Sequence, residues 1–356
     1  MTKAVAIETL LACIAGDFGA DTDWDSLLAA ANRTLVTGTM AERARRGGHW
    51  DRLPSDVQAF LAAIYERTTQ RTARLDAQLA EALECLNRHD IVPILMKGAA
   101  IRHTPAAGGS SGRMLSDLDL MMPAHALPRA AECLRGIGYR DYVGGSLGGA
   151  PIVLFREDDV GMLDLHSRLT APVPRVEARD IQRHCVSIRI GAGEVLLPSP
   201  TAQALMLIAH DQLQDRDYWR GLTDLRHLLD LDQLARTSEG IDWAALAAWF
   251  PPGYPRRALQ TPLITAHGLL GTPVPPDLLR GWRPRLQYKR RLLQARRPYL
   301  RIPLTLLSLV LDPPSLEIWG RERIQRRGGS ARRRDMAAIL GSGWRRFSRR
   351  ANPGKL

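Results

Sequence analysis

The sequence predicts an α/β (α+β) protein in which a mixed sheet is embedded in a mostly helical chain. Three observations carry that reading. Residues 3–88 repeat their apolar positions at helical spacing, residues 91–122 run as strand, turn, short helix, glycine-rich loop and second strand, and residues 139–198 hold short runs with two-residue alternation. At 356 residues, 45% of them hydrophobic, the chain is long enough for two or three packed units. We expect a helical cap over residues 1–88, the sheet core over 89–197, a helical domain over 198–297 and a basic segment over 298–356.

Leu10, Leu11 and Ile14, then Leu27, Leu28 and Ala31, recur at 3.6-residue spacing, and Asp25-Ser26 is a start signal for the second helix. After a break at Arg46 to Arg52, Pro54-Ser55 opens a long helix to about Asn87. Its Val57, Phe60, Leu61, Ile64, Leu75, Leu79, Leu83 and Leu86 form one stripe, which means packing, so the cap is expected to hold no site of its own. His49 and Trp50 read as loop or packing residues.

Beyond the central stretch, Leu127 to Ile137 reads as a helix ended by Gly136 and Gly138, followed by a hairpin that turns among Gly144 to Gly149. Residues 186–190 and 194–198 pair about Gly191-Ala192-Gly193. Ser199 and Pro200 take the N-cap and first-turn positions of a helix through Leu213, which carries His210 and Asp211. A second helix is expected from about Gly221 to Ala235, with Asp224 on one face.

The chemistry gathers in residues 91–122. Side chains two apart on a strand share a face, so Asp117 and Asp119 present two exposed carboxylates while Leu118 and Leu120 turn to a core. Paired hard oxygens suit Mg2+ or Mn2+, which keeps waters and takes substrate phosphates as further ligands. Upstream, Gly98 permits a tight turn, Lys97 supplies a point charge, and a helix start offers free N–H groups, all of which suit a phosphate. Arg113 adds a forked donor. In residues 161–166 the alternation puts Asp164 and His166 on one face and Leu163 and Leu165 on the other, either as a third carboxylate for the site or as the polar side of a surface strand.

The order Leu95-Met96-Lys97-Gly98, then Arg113, then Asp117-Leu118-Asp119-Leu120 resembles the uncharacterised bacterial nucleotidyltransferase family of the DNA polymerase beta superfamily. Lys97-Gly98-Ala99 departs from the Gly-Ser of many superfamily members. The resemblance covers roughly residues 55–240 and implies a polymerase-beta-like core that moves a nucleotidyl group from an NTP to an acceptor hydroxyl, releasing pyrophosphate. It implies two metals about 3.5–4 Å apart, bridged by Asp117 and Asp119, with Asp164 completing the catalytic one. Lys97 and Arg113 would neutralise the leaving pyrophosphate. The family pattern also carries Asp-x-His at Asp164 and His166, a helical His at His210 and an Asp at Asp224, which makes the last three candidates for nucleotide contact; on spacing alone His210 reads equally as a packing residue. Alternatives are a non-catalytic nucleotide-dependent binding module and an Asp-x-Asp glycosyltransferase, although the latter needs no Lys-Gly upstream.

Charge is unevenly placed. Residues 280–356 carry 21 Lys plus Arg against 4 Asp plus Glu, a net of +17, which leaves −5 for the rest of a chain whose total is +12. Trp319, Trp344 and Phe347 sit among arginines there. The segment reads as a surface for nucleic acid or an anionic membrane, or as a solubilising face. Four separated cysteines and the lack of a signal-peptide pattern point to a reducing cytosol, with peripheral membrane attachment as an option.

Overall fold

The computed structural model describes residues 7–105, 112–142, 151–169, 176–312 and 354–355. Its seven strands are β1 (Ile94–Leu95), β2 (Leu118–Met121), β3 (Arg140–Asp141), β4 (Ile152–Phe155), β5 (Leu163–His166), β6 (Cys185–Ile190) and β7 (Gly193–Pro198), and they form one mixed sheet in the order β3-β4-β5-β2-β1-β7-β6. β2 runs parallel to β5 and β1 parallel to β7, while the other pairs are antiparallel. The first helices are α1 (Ile7–Ile14), α2 (Trp24–Arg33), α3 (Thr37–Arg46), α4 (Ser55–Asn87), α5 (Lys97–His103), α6 (Leu127–Gly136) and α7 (Ala178–Gln182). The later ones are α8 (Pro200–Ile208), α9 (Asp217–Arg220), α10 (Leu225–Ala235), α11 (Trp243–Ala248), α12 (Tyr254–Leu270), α13 (Trp282–Arg296) and α14 (Arg301–Leu311).

Helix α4 joins two hydrophobic clusters. Its first turns give Val57 and Leu61 to the cluster shared by α1–α3, α8, α10 and α12, whereas Leu75, Leu79, Leu83 and Leu86 lie under the sheet with Leu95, Leu118, Leu120, Leu163 and Leu165. Ile94 and Met121 point the other way, into the first cluster. The central strands are thus buried on both faces, as parallel pairing requires.

Several elements differ from the sequence reading. Asp117 precedes β2, so only Asp119 of the pair lies on the strand. The expected helix through Leu213 ends at Ile208 and widens into a π-helical turn over Ala209–Gln214. The helix expected from Gly221 starts at Leu225, because Gly221 ends α9 at φ 69° and Asp224 caps α10, accepting the N–H groups of Arg226 and His227. Ser199 caps α8 through Ala202 N–H as anticipated. The glycine-rich loop before Gly112, the hairpin turn at Gly144 to Gly149 and the aromatic-arginine stretch with Trp319, Trp344 and Phe347 lie outside the described residues.

Of the basic segment, α14 packs on α13, and Gly354 and Lys355 lie back against the body. Gly354 N–H donates to Arg33 O at 3.0 Å.

Candidate active site

β2 and β5 bring the central residues together. Their parallel register sets Asp119 opposite Asp164 and Met121 opposite His166. Ligand atoms of Asp119, Asp164 and His166 all lie within 4.8 Å of one another. Asp119 is only 2% exposed, which overturns the expectation of an exposed ligand. A carboxylate so buried requires partners. Oδ1 of Asp119 accepts from Lys97 Nζ at 2.5 Å and lies 2.9 Å from His166 Nε2. Burial acts to raise the Asp119 pKa, but the Lys97 charge and the His166 contact outweigh it and hold the carboxyl well below the usual range. Burial likewise works against the Lys97 ammonium, and the Asp119 charge overrides it and raises that pKa.

Asp164 has the opposite fate. Its side chain makes no hydrogen bond or ion pair among the described residues, and burial followed by repulsion from Asp119 and Asp117 pushes its pKa up to about 6. Asp117 stands at the edge of the group, half-buried, accepting the Ser116 hydroxyl at 2.8 Å, and is not part of the three-residue cluster.

The turn from β1 into α5 positions Lys97. Lys97 itself adopts the left-handed region, at φ 49°, the conformation the sequence reading reserved for Gly98. Gly98 serves close packing instead: a Cβ there would meet Arg113 Nη1 at 2.4 Å and Leu115 Cδ2 at 2.6 Å. Arg113 turns away from the cluster. Its Nε and Nη2 fork onto Asp230 of α10 at 2.8 and 2.6 Å, both groups buried, so its charge ties the segment before β2 to α10.

A cleft beside the cluster is lined by Lys97, His166, Arg168, His210 and Gln214 with Met96, Leu169 and Met206. The Arg168 side chain has no hydrogen bond or ion pair among the described residues, and sequence reasoning missed it, although it continues the alternation of Asp164 and His166. His210 reaches the cleft from the π-helical turn, its Nδ1 3.1 Å from Asp211 Oδ1. Asp211 is held in turn by His227 Nδ1 at 2.8 Å. Burial would raise the Asp211 pKa, but the His227 and Lys355 charges keep it well below the usual range. Lys355 Nζ also reaches Asp215 at 2.8 Å and Asp217 at 2.5 Å. Asp224 lies apart from the cleft, paired with Arg226 and capping α10.

Supporting residues come from the helices. Arg71 of α4 donates to the carbonyls of Leu115 and Ser116, and Gln78 donates to Gly161 O at 2.8 Å, so one helix braces the approaches to both aspartate strands. Gly112 meets Gly38 of α3 backbone to backbone: a Cβ on Gly38 would lie 2.3 Å from Gly112 O. Glu42 accepts the Gly112 N–H at 3.1 Å.

Comparison with curated proteins and with solved structures gave no match. A family model described as uncharacterised nucleotidyltransferase matches residues 20–271, a span that includes every strand of the sheet, the carboxylate cluster and the cleft. By that match the chain belongs to this nucleotidyltransferase family, and nucleotidyl transfer is the activity its membership supports.

Proposed function

We propose that the protein is a divalent-cation-dependent nucleotidyltransferase of the DNA polymerase beta type, taking an NTP as substrate and an acceptor hydroxyl as nucleophile, with pyrophosphate released. The observation that supports it most is the in-register pair Asp119 and Asp164 on parallel strands, with the cleft beside them sharing Lys97 and His166.

The donor set fits a hard cation. Three carboxylates, Asp117, Asp119 and Asp164, gather near one ammonium, and the surplus negative charge contributes to the raised pKa of Asp164. Asp119 and Asp164, with His166 beside them, would hold Mg2+ or Mn2+. Such an ion, when bound, supplies Lewis-acid polarisation of a phosphoryl oxygen and neutralises charge on the phosphates.

The chain's own residues do the rest. Asp119 stays ionised at any working pH because Lys97 and His166 share its oxygen. Asp164, which has no hydrogen-bond partner among the described residues, would complete the ligand set of the cation and help take the proton of an acceptor hydroxyl. Arg168 would take the part expected of Arg113: it lines the cleft without a partner among the described residues and would offset charge growing on the pyrophosphate. Lys97 adds a second cation. His210, oriented by Asp211 through Nδ1, lines the same cleft and would shape the space for the phosphates. Asp117 sits at the rim, where a second ion would be held.

The test is cation-dependent binding of each NTP to the full chain, paired with turnover of α-labelled NTPs read as pyrophosphate and as labelled acceptor or self-labelled protein. Binding that requires Mn2+ or Mg2+ and is lost in Asp164→Asn is expected. Absence of cation-dependent binding for every NTP, or equal binding by the variant, overturns the proposal.

A further inference from the structure

Helices α13 and α14 are inside out. On α14 the polar side chains face the protein: Ser308 accepts from Gln287 Nε2 at 2.7 Å, Thr305 accepts from Arg290 at 2.7 Å, and Asp312 just beyond receives the Tyr218 hydroxyl and Arg257. Ile302, Leu306, Leu307 and Val310 face outward, Ile302 62% and Val310 77% exposed. The same inversion marks α13, which buries Gln287, Arg290, Arg291 and Gln294 and exposes Trp282 and Leu293. A surface helix of a water-soluble body normally has the reverse arrangement. Here the exposed apolar side chains of the hairpin run from Trp282 at the start of α13, through Tyr299 between the helices, to Val310 on α14.

The surroundings of these side chains are cationic. Arg280, Arg285 and Lys289 line a shallow groove around Trp282 and Leu286, and Arg296 and Arg297 are exposed at the other end of α13. Between residues 280 and 312 there are nine Lys plus Arg, of which Arg290 and Arg291 are buried, and a single acidic residue, Asp312, also buried; Arg280 pairs with Asp277 and Arg296 with Glu8, which leaves Arg285, Lys289 and Arg297 as the exposed surplus. The adjoining residues 313–353 add eleven arginines against three acidic residues. Nucleic acid would match the charge but leave the aliphatic side chains in water. A second copy of the chain would cover them but oppose like charges.

We infer that the outer face of the α13–α14 hairpin docks on an anionic lipid surface. Leu306, Leu307, Ile302 and Val310 enter the boundary between headgroups and acyl chains, Trp282 and Tyr299 lie at headgroup level, and Arg285, Lys289 and Arg297 meet lipid phosphates. This is how interfacial helices combine apolar burial with basic attraction. Among the described residues no helix is long and apolar enough to cross a membrane. An eleven-residue helix rising about 1.5 Å per residue lies in the interface and does not span it. The docking face is separate from the cleft of His166 and Arg168, so it would set where the enzyme works without taking part in its chemistry.

The experiment uses full-length protein and vesicles of phosphatidylcholine with or without phosphatidylglycerol. Full-length protein should sediment with the anionic vesicles, and the double variant Leu306→Glu/Val310→Glu should weaken that binding about tenfold or more, with unchanged thermal unfolding. Arg285→Glu/Lys289→Glu should weaken binding at low salt and less at high salt. Four results overturn the inference. They are no binding to anionic vesicles; binding that the apolar variant leaves intact; a concentration-dependent dimer abolished by the apolar variant; and slow thiol labelling of Leu306→Cys in the lipid-free chain that becomes fast when residues 316–350 are deleted, which would mean the chain covers its own apolar face.

Discussion

Asp119 and Asp164 face each other in register across parallel strands, the first held ionised by Lys97 and the second pushed toward protonation. Their stability contributions run in opposite directions. The depressed pKa of Asp119 gives stability that is present above its unfolded value and lost in strong acid. The raised pKa of Asp164 gives stability that is present below its unfolded value and lost as pH rises through about 6. A cation needs Asp164 ionised, so apparent Mn2+ affinity should rise by up to about tenfold per pH unit below pH 6 and level off above 7. Titration calorimetry from pH 5 to 8 checks this. Asp164→Asn should bind weakly and show a flat profile, and a flat profile in the parent protein would refute the assignment.

Replacing Asp119 with Asn should cost stability as well as activity. The change removes the counter-charge of a largely buried lysine, and breaking such a pair from one side costs on the order of 3 kcal/mol. Urea unfolding should show a lower midpoint, partly restored by Lys97→Met in the same chain. An unaltered midpoint would mean that Lys97 has another resting partner.

Arg113 and Arg168 should separate cleanly. Arg113→Ala leaves Asp230 buried without its cation and should destabilise the fold by about 3 kcal/mol. Arg168→Ala should leave unfolding nearly unchanged and weaken NTP binding about tenfold or more, the loss of a charge-assisted contact. If Arg113→Lys, in a fold shown intact by circular dichroism, has the larger effect on NTP affinity, the roles are reversed.

Lys355→Met should make stability depend on pH in a new way. Without the ammonium, Asp217 keeps its burial and its repulsion from Asp211 and Asp215 but loses the counter-charge that lowers its pKa, so its folded-state value rises further above the unfolded one. Stability is then retained in mild acid and lost as pH rises. Burial already holds Asp217 at about 6. The variant should melt close to the parent at pH 5 and well below it at pH 8, by about 2–3 kcal/mol. Equal melting at both values would show that the contact contributes nothing.

The sheet and the meeting of Asp119, Asp164 and His166 are legible in the sequence because they rest on short-range alternation within two strands, together with a lysine at the end of a third. Asp224 as a helix cap is equally local: Thr223-Asp224 immediately precedes an apolar-periodic run, and an N-cap was the available reading. Arg113 is a different case. Whether a guanidinium meets a phosphate or a buried carboxylate depends on Asp230, 117 positions away, and nothing near Arg113 encodes that choice. Arg168 had a signal, the continued two-residue alternation after His166, but the strand ends there and the alternation loses its usual meaning. Burial of Asp119 was hidden because it depends on α8 and the π-helical turn covering the second face of the sheet.

Lys355 also turns residues 313–353 from a tail into a closed span. The chain leaves the body at Asp312, fastened through Tyr218 and Arg257, and comes back at Gly354 and Lys355, fastened to Arg33 and to the aspartates beneath His210. While the span is whole, the ammonium is delivered to those aspartates at the high local concentration that tethering provides. A single proteolytic cut anywhere between the two fastenings would end that advantage and let the short fragment diffuse away. Damage to a stretch remote in sequence would then reach Asp211, and through it the imidazole of His210.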